Sequence, residues 1–163
     1  MAPHVEIEKK FLVAEPPKGW KLRASTRIVQ GYFPGEGGDL EIRLRGKGRS
    51  HFLTFKGGHG ERRLEEELPI SARTFRALWP FTRAARIAKR RYTIPGDGHT
   101  IEMDVYEGPH RGLMTVEVEF ASRRESRTFQ QPDWFGREVT ADRRYSNAQL
   151  ARRGRAPRDG AKK

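Results

Sequence analysis

Glu6, Glu8 and Lys10 fall at alternate positions of His4-Val5-Glu6-Ile7-Glu8-Lys9-Lys10-Phe11-Leu12-Val13. On a strand, alternate side chains share a face, so two carboxylates and an ammonium stand in one row while Val5 and Ile7 point away. Such a row is a poor way to build an oily core, because buried like charges repel and lose hydration. It is a good way to hold a cation beside an anion. Hard divalent ions such as Mg²⁺ and Mn²⁺ take carboxylate oxygens, and Lys and Arg grip phosphate oxygens.

The same rhythm recurs down the chain. Glu41, Arg43 and Arg45 alternate with Leu40, Ile42 and Leu44. Phe52, Thr54 and Lys56 oppose Leu53 and Phe55; Arg63, Glu65 and Glu67 oppose Leu64 and Leu68, with Glu66 breaking the apolar side. Lys89 and Arg91 oppose Ala88 and Tyr92, with Arg90 as the exception, and Glu102 and Asp104 oppose Ile101, Met103 and Val105. Glu117 and Glu119 oppose Val116, Val118 and Phe120. Nine acids and seven bases thus share one face.

The elements that must carry these rows are strands, expected near 5–13, 26–34, 40–47, 50–57, 61–69, 86–94, 99–107 and 113–121, with a shorter one near 137–140. Gly46-Lys47-Gly48, Gly57-Gly58-His59-Gly60 and Pro95-Gly96-Asp97-Gly98 read as hairpin links. Helices are few: 72–80 capped by Ser71, a short one from Ser122 to about Gln130 with Glu125 completing a capping box, and a last one from Arg143 to about Arg152 capped by Asp142. About eight antiparallel strands in so short a chain suggest a closed barrel, since closure removes exposed edges.

Two architectures fit. The apolar face can fill a small barrel with the charges in solvent, the usual arrangement. Alternatively the apolar face lies outside beneath the helices and the charges line a channel. Single-sign stretches such as Lys89/Arg91 against Glu117/Glu119, and helices carrying Trp79 and Phe129 that need an apolar surface to cover, favour the channel.

Bulk composition is consistent. The 163 residues fit one domain with a real core, and 35% hydrophobic against 33% charged content implies that some charge is lodged inside. The absence of cysteine excludes disulfides, thiolate metal sites and cysteine nucleophiles. No signal peptide or membrane-length apolar run is visible, so a cytoplasmic location is expected. The net charge of +12 points to a polyanionic partner. Residues 151–163 carry +5 of it and read as a disordered basic tail, able at most to touch nucleic acid weakly, so the domain is expected to span 1–150.

Glu6-x-Glu8-x-Lys10 resembles the N-terminal ExExK signature of the CYTH domain of the triphosphate tunnel metalloenzymes, which include class IV adenylate cyclases and thiamine triphosphatases. The likeness runs on through Gln30-Gly31-Tyr32, Glu41-Ile42-Arg43-Leu44-Arg45, Thr54-Phe55-Lys56-Gly57, Glu65-Glu66-Glu67, Lys89-Arg90-Arg91-Tyr92, Val116-Glu117-Val118-Glu119 and Gly136-Arg137-Glu138-Val139-Thr140-x-Asp142-x-x-Tyr145-x-Asn147. It covers about residues 4 to 150. The resemblance implies a mainly β, α+β fold: an eight-stranded antiparallel closed barrel with a charged interior and a few covering helices. It implies Mg²⁺- or Mn²⁺-dependent attack on a triphosphate. By that likeness Glu6, Glu8, Glu117 and Glu119 are metal ligands with Glu65 and Glu67 supporting, and Lys10, Arg43, Arg45, Lys56, Lys89 and Arg91 bind phosphate. Arg63 joins the phosphate-binding bases by its strand face.

Short loops resemble the compact bacterial members that prefer inorganic triphosphate, acting as monomer or homodimer. Cyclase, thiamine or nucleoside triphosphatase activity, and a non-catalytic polyphosphate-binding module, are the alternatives. Lys56, crowded by Arg43, Arg45 and Lys89 and so expected to have a lowered pKa, and Tyr32 are the candidates for activating water. The five histidines are expected at the surface, Asp142 as a cap, and Trp20, Trp79 and Trp134 in packing. Phe52 stands on the charged face without a role.

Overall fold

Alternation of charged and apolar side chains produces nine antiparallel strands among the described residues, which in this computed structural model are 7–35, 40–57, 64–96 and 98–158. Glu6 and Arg63 therefore lie outside the described residues, as do His4 and His59. The strands are β1 (Ile7–Val13), β2 (Ser25–Tyr32), β3 (Leu40–Lys47), β4 (Ser50–Gly57), β5 (Leu64–Ile70), β6 (Arg86–Pro95), β7 (Thr100–Tyr106), β8 (Met114–Phe120) and β9 (Phe135–Glu138). The helices are α1 (Ala72–Leu78), α2 (Arg123–Thr128) and α3 (Asn147–Arg153). Among the described residues no helix is long and apolar enough to cross a membrane.

The strand order is β5-β4-β3-β2-β6-β7-β8-β1-β9. The expected eight-stranded closed barrel is instead a nine-stranded sheet whose backbone pairing, among the described residues, does not join β5 to β9. The free edge of β1 is taken by β9, through Phe11↔Glu138 and Val13↔Phe135 with a register shift between them. β3 and β4 meet through the two-residue link Gly48-Arg49, where Gly48 supplies the left-handed φ of 58° that a tight hairpin needs.

Register puts the ionic rows on one face. Glu8 faces Glu119, Lys10 faces Glu117, Glu102 faces Glu117 and Asp104 faces Arg91. Across β2 the row continues: Arg45 faces Gln30, Tyr32 faces Arg43, Thr54 faces Glu67 and Lys56 faces Glu65. Both faces are buried. Lys89, Asp104, Thr54 and Thr115 are shielded on the ionic side, while Phe11, Met103, Val116, Val118 and Phe120 form the largest apolar cluster on the other. The charges thus turn inward, with the apolar face outside beneath coverings.

Those coverings come from caps and aromatics. Ser122 Oγ accepts from the Glu125 N–H, and the Glu125 carboxylate accepts from the Ala121 N–H, starting α2. The chain after α2 lays Phe129, Trp134 and Phe135 against Phe11. Ser71 caps α1, whose Phe75 stacks on Trp79. The expected helix 143–152 splits: Asp142 caps only a single turn, Arg143–Tyr145, and Ser146, in an extended conformation, restarts the chain as the cap of α3. α3 reaches Arg153 with Ala151 buried, so packing extends beyond the expected boundary at 150. Residues 159–163 lie outside the described residues.

Gly31 on β2 marks the tightest approach. A Cβ there would sit 2.2 Å from Thr82 Oγ1 and 2.9 Å from the Trp79 ring. Thr82 is fully buried and its hydroxyl accepts from Arg86 Nε, so it has little room to yield. Gly31→Ala should cost about 1–3 kcal/mol in urea unfolding by overpacking. An unchanged midpoint would mean that this layer is looser than its distances show.

Candidate active site

The buried ionic face sorts into two groups with β2 between them. The first is carried by β1, β6, β7 and β8. Arg91 is its hub: Nε and Nη2 donate to the two carboxylate oxygens of Asp104 at 2.7 and 2.8 Å, Nη2 also reaches Glu117 at 2.7 Å, and Nη1 pairs with Glu102. Lys89 Nζ donates to Asp104 Oδ2 at 2.5 Å, and Lys10 Nζ lies 3.1 Å from Glu117 Oε1. Acids outnumber bases here, and Glu8 and Glu119 stand in register at the exposed end of the row.

The second group is carried by β3, β4 and β5. Arg43 donates to Glu65 at 3.4 Å, Arg45 to Glu67 at 2.6 Å, and Lys56 Nζ lies 2.8 Å from Glu65. Thr54 adds a hydroxyl to Glu67 at 3.2 Å. The Nε groups of Arg43 and Arg45 are buried without a hydrogen-bond partner among the described residues. Two guanidinium donors left unsatisfied inside a protein are costly unless water or an anion completes them.

Several expectations change in this geometry. Lys56 is not crowded by bases: it faces Glu41 and Glu65 in register, and Lys89 belongs to the other group. Tyr32 is sealed within a cluster that includes Ala148, Leu150 and Ala151 of α3, and its hydroxyl accepts from Gln30 Nε2 at 3.0 Å. Burial pushes that hydroxyl far up, outweighing Arg43, so Tyr32 keeps its proton and leaves the candidates for water activation. Glu65 and Glu67, expected to support a metal, are instead engaged by Arg43, Lys56 and Arg45. His110 is not at the surface: it is buried, and its Nε2 donates to the Leu150 carbonyl at 2.8 Å. Sequence reading passed over Gln30, Thr54, Tyr106 and Asn147 as members of the site. The strand parity of Gln30 and Thr54 was the available signal, whereas Asn147 arrives on a helix and had none beyond its place in a motif.

Among the described residues no three acidic or histidine side chains converge closely enough to hold a metal ion. The donor chemistry is nevertheless of the right kind. Glu119 has no ion pair or hydrogen bond among the described residues and faces Glu8; Glu6, two positions before Glu8 in the sequence, lies outside the described residues. Carboxylates at the exposed end of this acid-rich row suit a hard divalent cation.

No family model matches the chain. It is 45% identical over 148 residues to an inorganic triphosphatase of Nitrosomonas europaea, covering 90% of this chain and 96% of the relative. It is 35% identical over 149 residues to an inorganic triphosphatase of Acetivibrio thermocellus, covering 90% and 93%. The chain belongs to the inorganic triphosphatase family. A crystal structure of an inorganic triphosphatase superposes with a TM-score of 0.73 at 39% identity, over 91% of this chain and 95% of that one. A protein proposed to be an adenylate cyclase, from Bacillus halodurans, shares the fold at 16% identity with a TM-score of 0.58, over 78% and 86%. These neighbours are of the CYTH, triphosphate tunnel type anticipated from the motifs.

Two measurements probe the charge balance of this family member. Asp104 is fully buried and serves both Lys89 and Arg91, so Asp104→Ala should cost about 3–5 kcal/mol in urea unfolding by stranding two cations. A loss under about 1 kcal/mol would show that water reaches them.

Glu117 sets the acid limit. Burial alone would raise its carboxyl, but Lys10, Lys89 and Arg91 overcome that and hold it well below its ordinary 4.5. The unfolded chain then binds a proton that the folded protein refuses, so stability present above the ordinary range falls as pH drops from about 5 downward. Glu117→Gln should flatten this slope, and equal slopes in both proteins would refute the assignment.

Proposed function

We propose that the chain hydrolyses inorganic triphosphate to pyrophosphate and phosphate with a divalent cation, in the trough between the two ionic groups. The observation that carries the reading is the pair of buried Nε donors on Arg43 and Arg45, without a partner among the described residues, across β2 from an acid-rich row. The whole-length likeness to inorganic triphosphatases supports the substrate.

In this reading Arg43, Arg45 and Lys56 take the phosphate chain from the β3–β4 side, and Lys10 and Arg91 from the other. Each base exchanges part of its hold on a glutamate for a phosphate oxygen, so charge stays compensated while substrate enters. Lys89, sealed against Asp104, contributes charge from behind the wall. Mg²⁺ or Mn²⁺ fits the oxygen donors Glu6, Glu8 and Glu119, with Glu117 adjoining, and when bound supplies polarisation of the phosphoryl oxygens. Water attacks the terminal phosphorus. The new P–O bond forms as the bridging P–O bond breaks, and the bases neutralise the pyrophosphate that departs. Lys56, held as a cation 2.8 Å from Glu65, serves this step as a phosphate-gripping charge rather than as the base, and the water's proton passes to a carboxylate of the acid-rich row. The sheet, curled with its charges inward, acts as a tunnel wall.

Phosphate release should be fast with triphosphate, slower with ATP and thiamine triphosphate, and lost in chelator. Arg45→Ala should cut kcat/KM at least roughly tenfold, about 1.4 kcal/mol of transition-state binding. Glu119→Ala should abolish the metal response with folding intact. Tight triphosphate binding without cleavage under every metal would instead establish a non-catalytic polyphosphate-binding module.

A further inference from the structure

We infer that Asn147, carried on α3, is a positioning residue for Lys89, so that seating this helix completes the ionic face. The inference rests on the triphosphatase reading. Lys89 is 1% exposed and Asp104 0%. Lys89 Nζ donates to Asp104 Oδ2 at 2.5 Å and to Asn147 Oδ1 at 3.4 Å, and lies 5.4 Å from the Tyr106 ring centre. An ammonium can only donate, so the amide oxygen of Asn147 must be the atom that faces it. The Tyr106 hydroxyl fixes that oxygen by donating to it at 2.8 Å.

The chemistry of an amide suits this place. Asp104 already receives two hydrogen bonds from Arg91, so it shares its charge between two cations. Without Asn147 the ammonium would pivot on its flexible stem towards Asp104 alone. A second carboxylate would fix it equally well, but would add a negative charge beside a phosphate trough. A neutral acceptor sets direction and leaves the positive charge available. Two of the three ammonium N–H groups are used in this way, and the third has no partner among the described residues.

The helix has its own anchors. Ala148, Leu150 and Ala151 pack with Ile87, Tyr32 and Tyr106, and His110 Nε2 donates to the Leu150 carbonyl. Asn147 is therefore not needed to keep α3 on the sheet, and its side chain is free to serve the ammonium.

The test uses the full chain with tripolyphosphate as probe, reading kcat, KM, calorimetric affinity and melting midpoint. Asn147→Leu, with Asn147→Ala as the alternative should leucine dislodge the helix, is expected to lower kcat/KM roughly tenfold or more. Asn147→Asp keeps the acceptor, so kcat should return to within about threefold while KM rises because the carboxylate competes with phosphate. Tyr106→Phe removes the bond that orients the Asn147 amide while sparing the ammonium contact itself, so it should lower kcat/KM by a smaller factor than Asn147→Leu does. Activity that tracks the melting midpoint, Asn147→Asp no better than Asn147→Leu, or Tyr106→Phe as damaged as Asn147→Leu would each overturn the assignment. An unsubstituted chain that binds tripolyphosphate without cleaving it defeats the functional reading instead, and the same order of affinities still decides Asn147.

Discussion

Mutual cancellation of charge on a buried sheet face is the constraint on which the rest depends. Arginine and lysine cannot be taken from water singly, because desolvation costs several kcal/mol per ion. Arg91 bound to Asp104, Glu117 and Glu102, and Lys89 bound to Asp104, solve this on one side of β2. Arg43, Arg45 and Lys56 with Glu65 and Glu67 solve it on the other. The solution is incomplete in one respect: the Nε donors of Arg43 and Arg45 lack partners among the described residues. In the proposed reading these donors are where the anion is received.

That constraint also shapes the fold. A sheet whose inner face is ionic must bury its apolar side outward. This explains why short helices and aromatic loops cover the outside: Phe129, Trp134 and Phe135 over β1 and β8, Phe75 and Trp79 over β2 to β4. α3 is the exception. It packs on side chains of the ionic parity, Tyr32, Ile87 and Tyr106, and brings Asn147 to the buried ammonium. The covering of the wall and the tuning of the site meet there.

The likeness to inorganic triphosphatases and the ionic geometry are independent supports for phosphate chemistry. One is whole-length identity; the other is the chemistry of exposed carboxylates beside arginine donors. In the proposed reading, the division into an acid-rich group and a base-rich group gives a linear triphosphate and its cation separate sides to address.

Strand identity and the charged members of the ionic row within the described residues were legible in the sequence, because a period of two assigns side chains to a face without any tertiary information. Short Gly-rich links and Ser caps likewise act locally, so the hairpins and the starts of α1 and α2 could be read directly. Which face turns inward was only favoured, since either orientation satisfies the same alternation. The pairing of Lys56 with Glu65, the sealing of Tyr32, the burial of His110 and the capture of the β1 edge by β9 all join residues distant in sequence or set by packing around them, so tertiary structure alone decided them. Asn147 shows the physical reason most clearly: its partners, Lys89 and Tyr106, stand 58 and 41 residues away. No local rule connects them until the sheet has curled and the helix has docked.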